Sequence, residues 1–98
     1  METMLNNYCI VRGNRSGVFA GIVKEINGDQ VLMTNVRRIW YWDGAATLSQ
    51  MAMEGVTNPT GCKFTVEVNE LLVLDAIEIL RCTEAAEACI KAVKVWRR

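Results

Sequence analysis

The chain has no histidine, a single proline and no net charge, since eleven Lys and Arg balance eleven Asp and Glu. Without histidine, no side chain has an ordinary pKa near neutrality. That excludes Ser-His and Cys-His nucleophiles and argues against an enzyme. Without net charge, no global field draws the protein to nucleic acid or to a membrane, and such a partner would need a local patch. Cys9, Cys62, Cys82 and Cys89 include no CxxC pair. They are expected to be single buried thiols in a reducing cytoplasm, with no metal and no cofactor. The longest near-apolar run, residues 71–80, contains Asp75 and Glu78 and is too short to span a bilayer. Residues 1–7 lack the basic and apolar regions of a signal peptide and are expected to fray. Gly13, Gly17 and Gly21 lie four apart before a strand instead of a helix, which is the wrong setting for a phosphate loop.

What is present fits one domain over residues 1–98. Its apolar fraction, 51%, exceeds what one small core needs and points to a homo-oligomer. Residues 8–12, 18–26 and 30–42 are rich in β-formers and separated by turn clusters, the second being Asn27-Gly28, a type I′ hairpin signal. Gly21 predicts a bend, a bulge or a close backbone approach. Thr47 and Gln50 form a capping box for a short helix that stops at Gly55. Its two methionines, Met51 and Met53, fall on different helix faces, which leaves at least one exposed. Residues 63–68 alternate as a strand with Phe64, Val66 and Val68 inward, and residues 76–81 favour a strand. Thr83 caps a last helix over residues 84–93. The fold class is α+β: a bent, five-stranded antiparallel sheet closing into a small SH3-like or Sm-like barrel, with a short helix after the third strand and a C-terminal helix. An open sheet with one helix packed on it is the alternative.

The densest chemistry is Arg37-Arg38-Ile39-Trp40-Tyr41-Trp42-Asp43. On a strand, Arg38, Trp40 and Trp42 share one face, and Arg37, Ile39 and Tyr41 share the other. One face should be core and the other should meet a partner. Tryptophan, tyrosine and arginine concentrate at interfaces, and they also form stacking platforms for bases with a cation on the phosphate. The candidate ligand-binding residues are Arg37, Arg38, Trp40, Tyr41, Trp42 and Asp43. Asp43 is either a turn residue or a ribose or base acceptor. Arg97-Arg98 is expected to be a frayed tail.

Gly17 to Gly21, Arg37-Arg38-Ile39-Trp40-Tyr41-Trp42-Asp43-Gly44-Ala45, Leu48-Ser49-Gln50-Met51-Ala52-Met53-Glu54-Gly55, Cys62-Lys63-Phe64, Ala76 to Ile79 and Cys82-Thr83 follow one another. With them the chain, from Tyr8 to Trp96, resembles a family of small uncharacterised bacteriophage and prophage proteins. That resemblance implies an origin and carries no assigned site residues. The expected function is a non-enzymatic phage accessory protein in the host cytoplasm, an anti-defence factor that binds a nucleotide-type signal within an oligomer. The first alternative is a protein–protein module that inhibits a host protein or serves phage assembly. The second is an Sm-like nucleic-acid-binding barrel, which the neutral charge disfavours.

Overall fold

The computed structural model describes residues 2–98. In chain order the elements are β1 (Tyr8–Gly13), β2 (Val18–Asn27), β3 (Gln30–Tyr41), α1 (Leu48–Glu54), a 3-10 turn (Pro59–Gly61), β4 (Lys63–Phe64), β5 (Val68–Val73), β6 (Ala76–Arg81) and α2 (Glu84–Ala92). The six strands form one antiparallel sheet in the order β4-β3-β2-β1-β6, with β5 beside β4 on the same edge of β3. The long β3 therefore holds two partners end to end. Val31–Val36 pairs with β5, and Ile39 and Tyr41 pair with β4.

The bend is set at Gly21. Between the pairs Ala20–Arg37 and Ile22–Thr34, two β3 residues, Asn35 and Val36, oppose the single Gly21. Asn35 has φ 48°, and a Cβ at position 21 would sit 2.8 Å from the Val36 Cα. Such a two-to-one bulge bends a strand pair and strengthens its twist. The curl brings the two turns flanking β2 to neighbouring residues of one link. The Asn14 amide donates to the Asp75 carbonyl (2.8 Å), and the Ala76 amide donates to the Asp29 carbonyl (2.9 Å).

Five expectations change. The sheet is bent but does not close into a barrel, because β5 and β6, joined by Leu74-Asp75, are captured by β3 and β1 and do not pair. Among the described residues there are six strands instead of five, because residues 63–68 break at Thr65. Thr65 is pinned where β3 bends: its amide donates to the Arg38 carbonyl, and its hydroxyl accepts from the Arg38 amide (both 3.0 Å). Phe64 is buried, whereas Val66 and Val68 are exposed. The hairpin turn is centred on Gly28-Asp29, and only Gly28 has positive φ (62°), the pattern of a type II′ turn. Residues 5–7 lie against β2: the Asn6 amide donates to the Val23 carbonyl (2.7 Å), and the Val23 amide donates to the Asn7 carbonyl (3.1 Å). Met1 lies outside the described residues.

Both helix caps form as the sequence implies. The Thr47 hydroxyl accepts from the Gln50 amide, the Thr83 hydroxyl accepts from the Ala86 amide, and Gly55 ends α1 at φ 78°. The sheet carries a core on each face. Cys9, Val11, Phe19, Val23, Val31, Met33, Val36 and Val73 fill the inside of the bend. On the other face Tyr8, Ile10, Ala20, Ile39 and Phe64 pack against Met51 and Ala52 of α1 and Ile90 of α2. Met51 is buried in α1, and Met53 is exposed.

Candidate functional site

The end of β3 is where the sheet stops and the surface begins. Ile39 pairs with Phe64, and Tyr41 pairs with Lys63, so Trp40 is the extra residue of a second bulge. Ile39 points into the helix-side core, while Trp40 and Tyr41 are 63% and 54% exposed. The C-terminal segment completes the surface. Val95 bridges Phe64 in parallel, and the Trp96 amide donates to the Phe64 carbonyl (2.9 Å). That tie sets Trp96 beside Trp40, with ring centroids 6.4 Å apart and planes inclined by 8°. The Lys63 ammonium lies 5.5 Å from the Trp96 ring centroid. An open groove of about 410 Å³ runs from Trp96 past Lys94, Cys62 and Pro59. Lys63, Lys94, Arg97 and Arg98 are all exposed in these two segments.

Of the six residues singled out in the sequence, two are on this platform, Arg37 is buried, Arg38 and Trp42 are half-buried, and Asp43 is exposed in the loop that follows β3. Trp40 and Tyr41 are on the platform. Arg37 is 3% exposed. Its Nε donates to the Thr65 carbonyl (2.9 Å), Nη1 to the Ile90 carbonyl (2.8 Å) and Nη2 to the Phe64 carbonyl (3.2 Å), with the guanidinium 5.5 Å from the Phe64 ring. Arg37 thus ties the last turn of α2 to β4. It serves a helix-end carbonyl and places positive charge at the negative end of the helix dipole. Arg38 lies on the opposite face, 4.5 Å from the Phe19 ring, and donates to the Ser16 carbonyl. Trp42 packs against the helix-side core, and its indole N–H donates to the Ala45 carbonyl (3.2 Å). The Asp43 carboxylate accepts from the Asn58 side-chain amide (2.6 Å), and its amide donates to the Cys62 sulfur (3.3 Å), which staples the 3-10 turn to the end of β3.

The platform residues not singled out in the sequence are Trp96 and Lys63. Lys63 carried a visible signal, because it sits next to Phe64 in a segment that alternates as a strand. Trp96 carried only its chemistry, a tryptophan among basic residues. Nothing local announces that Val95 will pair with Phe64, 31 residues earlier in the chain.

The displaced pKa values lie elsewhere. Burial pushes the Cys9 thiol up to about 11 and the Cys82 thiol up to about 12, so both stay protonated at neutral pH. Burial also raises the Tyr8 phenol, whose hydroxyl has no hydrogen-bond partner among the described residues. It lowers the Arg37 guanidinium. Asp75 is held below the usual carboxylate value, first by the hydrogen bond from the Ser16 hydroxyl and then by the Arg15 amide. The platform itself offers flat apolar area and cations. These suit binding a planar, anionic molecule better than moving a proton.

Among the described residues, no group of three or more His, Cys, Asp or Glu side chains could hold a metal ion, and no helix is long and apolar enough to cross a membrane. No curated protein matches the chain. A family model does match, over residues 6–90, which takes in the sheet, α1 and most of α2. The chain therefore belongs to the family described as Domain of unknown function (DUF6948).

Proposed function

We propose that the protein is a non-enzymatic binding protein that holds a nucleotide-type ligand on the Trp40–Trp96 platform. The base stacks on the exposed indoles, and its phosphate is met by Lys63 and the basic C-terminal segment. The observation that carries this reading is the parallel, solvent-exposed Trp40–Trp96 pair with an ammonium beside it. Base–aromatic stacking is worth about 1–3 kcal/mol per base, and the neighbouring cations add phosphate contacts. Arg37 and Asp43, bound to their own backbone and loop, serve here as supports of the platform. In a phage accessory protein of the host cytoplasm, such a ligand would be a nucleotide signal of host defence, held out of circulation. The balanced charge and the unclosed sheet weigh against the Sm-like nucleic-acid alternative.

Calorimetric titration with cyclic nucleotides, ADP-ribose-type nucleotides and short single-stranded oligonucleotides tests this reading. Saturable heat with a mononucleotide supports it. Heat with oligonucleotides alone, falling steeply with salt, would move the assignment to a nucleic-acid strand. Absence of heat with every compound, on folded protein, overturns both.

A further inference from the structure

Among the described residues, the exposed large apolar side chains outside the platform are, apart from Met53 on α1, concentrated in one region. Val66, Val68, Leu72, Leu74 and Ile77 all lie on β5, on β6 or beside them. These are two open edges of the sheet: among the described residues, β5 is paired only with β3, and β6 only with β1. An edge strand leaves a row of backbone N–H and C=O groups free, and proteins that remain monomeric usually blunt such edges with charge, proline or a cover. Here the edges carry leucine, isoleucine and valine. Their charges are also unlike. β6 has its acid paired, since Glu78 meets Arg12 at 3.1 Å, which leaves Arg81 as the charge of this strand with no ion pair among the described residues. β5 carries Glu70 and follows Glu67, and neither forms an ion pair among the described residues.

We propose that copies of this chain associate edge to edge, with β6 of one copy adding as a strand to β5 of the next. Both strands are six residues long. Fully overlapped and antiparallel, they set Leu72 opposite Ile77 and Val68 opposite Arg81, with Glu70 on the diagonal from Arg81. Opposite and diagonal neighbours on paired strands are within reach of long side chains. The contact is heterologous, because different strands meet. Each added copy therefore presents a fresh β5 or β6, and assembly proceeds to a ring or a chain of copies. An apolar cleft of about 340 Å³ beside β6, lined by Met4, Ile26, Val31 and Ile77, gives the neighbour further surface to cover. The platform at Trp40 and Trp96 is on other elements and is not consumed by this contact.

The test is solution mass by light scattering across protein concentration, on the wild type, Glu70→Arg, Arg81→Glu, the double exchange Glu70→Arg/Arg81→Glu, and Leu72→Lys/Ile77→Lys. The expected result is a wild type above monomer mass and lower mass for each single charge reversal. The double exchange should recover the larger mass, and the lysine pair should be a monomer with native circular dichroism. A monomeric wild type at high concentration overturns the proposal. So does a multimer that all four variants leave intact. A multimer lost in both single reversals but not recovered in the double exchange overturns the β5–β6 pairing.

Discussion

Replacing Arg37 with methionine separates the supporting role found here from a ligand-binding one. The guanidinium is buried and makes three hydrogen bonds, all to backbone carbonyls that no side-chain change can remove. Bonds from a charged donor contribute about 1.5 kcal/mol each at the low end, about 4.5 kcal/mol for the set. Part of that returns when a charge no longer has to be buried. The Ile90 and Phe64 carbonyls also keep second donors, the Val93 and Trp96 amides, so the Thr65 carbonyl bears most of the loss. The net cost is about 2–4 kcal/mol. With an unfolding entropy of about 0.2 kcal/mol/K for a chain of this size, the midpoint should fall by about 10–20 °C. Arg37→Lys should recover a small part, because an ammonium cannot serve three carbonyls in fixed directions. Thermal melts followed by circular dichroism read the effect directly. If Arg37→Met melts within about 5 °C of the wild type, the clamp is not a principal support of the fold, and the reasoning fails.

Two further perturbations address the bend and the link. Gly21→Ala should destabilise the protein by about 1–3 kcal/mol, because its Cβ meets the Val36 backbone at 2.8 Å. A denaturant midpoint equal to that of the wild type would show that the strands part easily at this point. Asp75, whose carboxyl is held low in the fold, contributes stability above its ordinary value near about pH 4, and that contribution is lost as pH falls through the lowered folded value. Asp75→Asn should therefore melt lower at neutral pH and show a flatter decline than the wild type between about pH 5 and pH 2. Parallel acid profiles for the two proteins would remove Asp75 from the account.

What the sequence made legible was local. The Thr47 and Thr83 caps are short-range hydrogen bonds written in residue spacing, and both form. Gly21 marked a close approach because only a missing Cβ fits against Val36. The hairpin was legible, but its centre was displaced by one residue, since Gly28 serves a II′ turn as readily as a I′ turn. The faces of β3 were misjudged beyond Ile39. Simple alternation gives Trp40 and Tyr41 opposite sides, whereas the bulge at Trp40 turns both to solvent and returns Trp42 toward the core. Arg37 was indistinguishable in sequence from its neighbour Arg38. Its role depends on carbonyls 27, 28 and 53 residues away in the chain, and a carbonyl leaves no mark in a sequence. The platform likewise depends on the Phe64–Val95 bridge, a long-range contact between two short segments. The barrel failed to close for the same kind of reason. Whether β5 meets β6 or β3 is decided by the curl of the whole sheet and not by either strand's composition.

The most direct test of the platform is a comparative titration of the wild type and Trp40→Ala with one nucleotide panel, followed by calorimetry and by tryptophan fluorescence. Trp40 is 63% exposed, so its truncation should leave the melting midpoint within a few degrees of the wild type. The wild type should show saturable quenching by at least one nucleotide, and Trp40→Ala an affinity about 5- to 150-fold weaker, the range that one stacked base supplies. Equal affinity in the two proteins, or no saturable response in the folded wild type, would contradict the platform's role in binding.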